Sequence, residues 1–125
     1  MSKILTELWL EDVDGDNWIV CAPFFYQSDL LNGIVKVPIR TESDLASIPR
    51  PFRGIFPKSG KYNKAAVLHD AGYNGKLVTF DDKRIDLIKY YCDDLFYEAM
   101  IVSGVSKFTA KLMYEMVKQF GKPKS

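Results

Sequence analysis

Residues 4–10 alternate weakly, with Ile4, Thr6, Leu8 and Leu10 on one side and Leu5, Glu7 and Trp9 on the other, the two-residue period of a strand. Asp14, Gly15, Asp16 and Asn17 supply turn residues, and residues 18–25 form a second β-rich run, so a hairpin is expected. Asp12, Asp14 and Asp16 also invite a calcium reading, but the spaced ligands and closing glutamate of a helix-loop-helix calcium site are missing, and a plain turn explains them better. Residues 33–40 read as a third strand, with Ile34, Lys36 and Pro38 facing opposite to Val35, Val37 and Ile39. Pro38 has no N–H to give to a ladder and marks an edge or a strand end. Pro49 and Pro51 then forbid a regular helix or central strand, which makes the segment a rigid, irregular connection, with one helical turn over residues 51–56.

The period then changes. Residues 63–73 read as a helix carrying Tyr62, Ala65, Ala66, His69 and Tyr73 on one stripe, closed by Asn74 and Gly75 in a left-handed cap. Residues 76–80 form a short connection or strand fragment. Asp81 and Asp82 favour a helix start, and Ile85, Ile88, Cys92, Leu95, Ala99 and Val102 make the clearest apolar face in the chain. Asp86, Tyr90, Asp93, Tyr97 and Met100 lie on the adjoining face, which sets Asp93 beside the core. Gly104 closes this helix and Ser106 caps the last one, where Phe108, Leu112, Met113, Met116, Val117 and Phe120 form a broad stripe before Gly121 and Pro123. The expected fold is α+β: one domain over residues 1–125, with an N-terminal antiparallel sheet (about 1–40), a proline-rich loop (41–62) and C-terminal helices (63–121) packed against the sheet.

At 125 residues the chain is long enough to bury a core without staples. Seventeen Lys and Arg against sixteen Asp and Glu leave no global field to recruit nucleic acid. Two cysteines, Cys21 and Cys92, make no disulfide framework and are expected to be reduced, semi-buried thiols. No run approaches the roughly 20 apolar residues of a membrane span, and no leader pattern opens the chain.

The candidate chemistry centres on the lone histidine. On a helix, His69 points inward and Asp70 lies about 100° further round. The two neighbours cannot easily pair, so each needs a partner from elsewhere. The plain alternative is a satisfied core histidine beside a solvated carboxylate. Asp44, Ser47 and Arg50 sit on the proline-bracketed loop, where a scaffold presents functional side chains, although local turns and caps would use the same groups. Ser47 as nucleophile with His69 as base is one variant.

Ser43-Asp44-Leu45-Ala46-Ser47-Ile48-Pro49-Arg50, Ala66-Val67-Leu68-His69-Asp70, and Asp93 with Phe96, Ala99 and Met100 together resemble a bacteriophage and prophage family, domain of unknown function 1353, over residues 33–121. Ser43 stands where that family more often has threonine. The resemblance implies a phage origin, in the host cytoplasm or the particle, and brings no established activity. His69-Asp70-Ala71-Gly72-Tyr73 with Asp93 also resembles the two-helix core of the secreted, calcium-dependent phospholipases. That likeness implies His69 as a water-activating base, Asp70 as a calcium ligand and Asp93 as the carboxylate that orients the imidazole. The chain departs from those enzymes in lacking their disulfides and their glycine-rich calcium loop, for which residues 51–62 offer only Gly54 and Gly60.

The resulting expectation is a phage-encoded protein with a His/Asp hydrolase-like site built from His69, Asp93 and Asp44. Asp70 is the candidate ligand for a divalent metal such as calcium or zinc, and Arg50 and Ser47 support substrate or structure. The competing expectation is a virion component or a host-factor or anti-defence binding protein, in which the same polar cluster is structural.

Overall fold

The computed structural model describes residues 1–13, 17–44, 60–87 and 89–120. These form an α+β fold with antiparallel sheets in the N-terminal half and helices in the C-terminal half. The strands are β1 (Lys3–Ile4), β2 (Leu10–Asp12), β3 (Trp18–Val20), β4 (Phe24–Ser28), β5 (Gly33–Val37), β6 (Glu42–Ser43) and β7 (Val78–Thr79), and the helices are α1 (Gly60–Tyr73), α2 (Lys89–Val102) and α3 (Lys107–Phe120). One sheet runs β1-β4-β5-β7 and the other β2-β3-β6.

The expected hairpin is present as β2 and β3, with Leu10 opposite Val20 and Asp12 opposite Trp18. The two long N-terminal runs are each divided, however. Residues 4–10 split between β1 and β2, and residues 18–25 split between β3 and β4, which belong to different sheets. Pro23 lies at the second break, where a residue without an N–H cannot continue a ladder and can only precede the next strand. The third run behaves as its alternation implies: β5 stops before Pro38, buries Val35 and Val37, and pairs with β4 and β7.

α1 is enclosed on every side. Residues 65–72 are all buried, as befits a helix with little apolar periodicity and many small side chains. It packs chiefly on α2 and also touches β5 and β6. The close approach is set at Gly72, where an added Cβ would come within 3.0 Å of Cys92 Sγ. Gly75, at φ 66°, ends the helix in the left-handed conformation foreseen for it.

α2 begins at Lys89, later than the Asp81-Asp82 start expected from sequence. Those aspartates instead form a turn, with Asp82 at φ 66° and Arg84 bridged to Val78, so Ile85 packs from an extended segment. Asx side chains tolerate both uses, and pairing beside β7 decides the outcome. Ser106 caps α3 as expected, its Oγ accepting the Thr109 N–H at 3.3 Å. Phe108 departs from the expected stripe and is 80% exposed, while Met113 and Val117 are buried. Cys92 is buried and Cys21 exposed, so only one thiol is shielded, and both are free.

Candidate functional site

His69 is 2% exposed, on the face of α1 that meets α2. Its ring lies 4.1 Å from the Tyr73 ring and 4.8 Å from the Phe96 ring, centroid to centroid. Asp93 of α2 is equally buried, and His69 Nε2 lies 2.8 Å from its Oδ1. The Tyr73 hydroxyl donates to that same oxygen at 2.5 Å, and Lys89 Nζ donates to Oδ2 at 2.7 Å. Lys89 also donates to the carbonyls of Val117 and Lys118, tying the end of α3 into the cluster. Burial opposes ionisation of Asp93, but the His69, Lys89 and Tyr73 donors outweigh it and hold the carboxyl below its ordinary pKa. An ionised carboxylate only accepts, so His69 Nε2 carries a proton and donates it to Asp93.

The other ring nitrogen is different. Nδ1 is buried, has no hydrogen-bond partner among the described residues, and faces Asp70 Oδ1 at 3.8 Å, beyond bonding distance. Burial works against a charged imidazole, but the Asp70 and Asp93 carboxylates on either side outweigh it and hold the His69 pKa above its ordinary value.

Asp70 is also buried, at 7% exposure, because α1 has no solvent face at this level. Its Oδ2 accepts the Ser43 hydroxyl at 2.6 Å and the Asp44 backbone N–H at 3.1 Å, which fastens β6 and the residue after it to α1. Burial, reinforced by the Asp44 carboxylate, pushes the Asp70 pKa up against the opposing pull of His69 and Ser43. Ser43 and Asp44 in turn line a cavity of about 380 Å³ with Arg40, Glu42, Asn74 and Lys76.

Asp44, His69, Asp70 and Asp93 are therefore brought together, in a line from the cavity wall to the α2–α3 contact. Asp44 enters through its backbone and its proximity to Asp70. Ser47 and Arg50 lie outside the described residues, as does the helical turn expected over residues 51–56. The sequence reading gave no role to Lys89 or to the Tyr73 hydroxyl. Both were within reach, since Lys89 stands four residues before Asp93 and Tyr73 four after His69, the spacing of neighbours on one helix face.

The model of a family described as protein of unknown function (DUF1353) matches residues 18–117. The chain belongs to this family. The DUF1353 match takes in every side chain of the cluster, from Ser43 to Asp93, and the Val117 carbonyl that Lys89 reaches. No curated protein and no solved structure matches the chain.

Among the described residues, the chemistry of the cluster does not fit a divalent metal. Calcium takes about six to eight oxygen ligands, whereas one Asp70 oxygen is engaged by two donors and the other faces an imidazole whose pKa is raised. Among the described residues no three His, Cys, Asp or Glu side chains are grouped to hold an ion.

Proposed function

We propose that this DUF1353 protein is a phage-encoded hydrolase whose His69 activates water without a metal. The observation that carries the reading is the division of labour on one imidazole: Nε2 is held by Asp93, while Nδ1 has no hydrogen-bond partner among the described residues. A base needs one nitrogen fixed and the other available. In this reading Nδ1 takes a proton from water as the oxygen attacks an ester or amide carbonyl or a phosphoryl centre. Asp93 stabilises the imidazolium that forms, and the proton then passes to the leaving group as its bond breaks. Asp70 and Asp44, whose proximity raises the Asp70 pKa, relay protons between the imidazole and the cavity. In this reading the site works in the host cytoplasm or in the phage particle.

The test is turnover of a panel of nitrophenyl carboxylic and phosphoric esters by the full chain, beside His69→Gln and Asp93→Asn. Hydrolysis by the parent that is lost in a folded His69→Gln variant is the expected result. Full activity in that variant, or none in the parent across the panel, defeats the proposal.

A second reading draws on the 2% exposure of both His69 and Asp93. In it the cluster pins β6 to the helices of a non-enzymatic virion or host-factor-binding protein. Inactivity of the parent together with a lowered melting temperature for every alanine variant of the cluster would favour it.

A further inference from the structure

We infer that the cavity beside Ser43 and Asp44 is an oxyanion site, in which Arg40 and Lys76 grip a phosphate or carboxylate group of a small substrate. The inference rests on the reading that this cavity serves His69, and it names the substrate class.

Four observations carry it. Arg40 and Lys76 both line the cavity, and among the described residues neither side-chain cation has an ion-pair or hydrogen-bond partner. Two acids, Glu42 and Asp44, line the same cavity, and the Asp44 backbone is tied to Asp70 behind it. Asp70 accepts from Ser43 and from the Asp44 amide, and burial together with the Asp44 carboxylate pushes its pKa up. Glu42 neighbours Ser43 on β6, whose alternation turns Ser43 inward and Glu42 towards solvent.

Arg40 also holds an unusual backbone. Its φ of 69° lies in the left-handed region that asparagine or glycine enters readily, as Asn32 does at 56°, and that a long side chain rarely adopts. The turn is fixed regardless, by the Arg40 N–H donating to Val20 O and the Thr41 hydroxyl donating to Pro38 O. Strain of this kind gathers where a side chain is needed in one place. Here it sets a guanidinium on the rim, the group whose planar fork best matches a phosphate or carboxylate. Lys76 follows the end of α1 and lines the cavity from the segment before β7, so the two cations come from separate parts of the chain.

The experiment is a titration of the isotope-labelled full chain with sodium phosphate, sodium acetate and tetramethylammonium chloride at constant ionic strength. Backbone amide shifts of residues 40–44 and the indole of Trp18, whose Cα pairs with that of Ser43, report on the cavity. Phosphate or acetate should saturate these shifts, and whichever binds tighter separates phosphoester from carboxylate substrates. Arg40→Asn, which keeps the left-handed backbone unstrained, and Lys76→Gln should each weaken binding by roughly tenfold, the loss of one charge-assisted contact. No saturation by either anion, equal binding in both variants, or saturation by tetramethylammonium instead would overturn the inference. Anion binding by a chain that hydrolyses no ester retires the hydrolase reading and leaves this one standing. Hydrolysis without anion binding does the reverse.

Discussion

Asp93 and Glu98 lie five residues apart on α2, and each accepts three hydrogen bonds, yet the two networks end differently. Glu98 Oε1 takes the hydroxyls of Tyr26 and Ser28, both at 2.7 Å, and Oε2 takes the Leu30 N–H at 3.0 Å. Ser28 Oγ then accepts the Leu31 N–H, so the network closes on the end of β4 and the turn beyond it. Asp93 takes a histidine, a tyrosine and a lysine, and among the described residues the histidine keeps one nitrogen without a hydrogen-bond partner. A carboxylate that only fastens a helix to a sheet needs saturated neighbours. One that serves proton transfer, the role proposed for Asp93, needs a neighbour left incomplete, at a cost of about 1–3 kcal/mol for the unsatisfied group.

Substitutions sharpen this contrast, and the largest effect is expected at Asp93. Asp93→Ala leaves a buried imidazole, a phenol and a lysine without their acceptor and should cost about 3–5 kcal/mol in chemical denaturation. A loss below about 1 kcal/mol would mean that the cluster reorganises freely. Glu98→Ala should cost less, about 2–3 kcal/mol, because its donors are neutral and Glu98 itself is only partly buried. It should leave the His69 resonances where they are; a shifted His69 titration would merge the two networks and erase the distinction.

The pH dependence follows from the shifts at His69, Asp70 and Asp93. The His69 pKa is raised from 6.5, so its contribution to stability is complete below that value and fades as pH rises through the folded pKa. Asp70 is raised from 3.8, so its contribution is complete below that value and fades as pH rises through its own folded pKa. Asp93 is lowered from 3.8, so its contribution is complete above that value and is lost as pH falls through the folded pKa. Melting temperature should therefore decline on the alkaline side of 6.5, and His69→Gln should flatten that decline while lowering stability by about 1–2 kcal/mol. An unchanged alkaline slope in the variant would assign the decline to other groups.

The smallest effect concerns thiols. Burial, helped by the nearby Asp93 carboxylate, pushes the Cys92 thiol up to about 12, while Cys21 is exposed. A thiol reagent should modify one cysteine in the native chain and the second only on unfolding. Rapid reaction of both would show that the α1–α2 contact around Gly72 and Cys92 opens readily.

Much of this organisation was legible in the sequence, to the depth that local periodicity allows. The inward direction of His69 followed from its stripe, and the need of His69 and Asp70 for separate partners followed from the helical angle between them. The partners of Asp70 did not follow, since β6 is two residues long and its pairing with β3 is a tertiary event. The burial of Asp70 was hidden for a related reason: α1 is enclosed by other elements, and its own small residues carry no amphipathic signal. The late start of α2 was misread because Asp81 and Asp82 serve a helix start and a turn equally well, and only β7 decides between them. Glu98 had no signal, being one acid among several on an otherwise ordinary helix.

The central claim is that His69 Nδ1 is the open proton site of the cluster. Because the chain has a single histidine, a ¹⁵N-detected titration of the imidazole reads it without ambiguity. The expected result is a neutral form protonated at Nε2 and bare at Nδ1, which takes its proton at Nδ1 with a pKa above 6.5 that falls in Asp93→Asn. An imidazole protonated at Nδ1 throughout, with Nε2 bare towards Asp93 or with no titration between the extremes at which the fold survives, would contradict it.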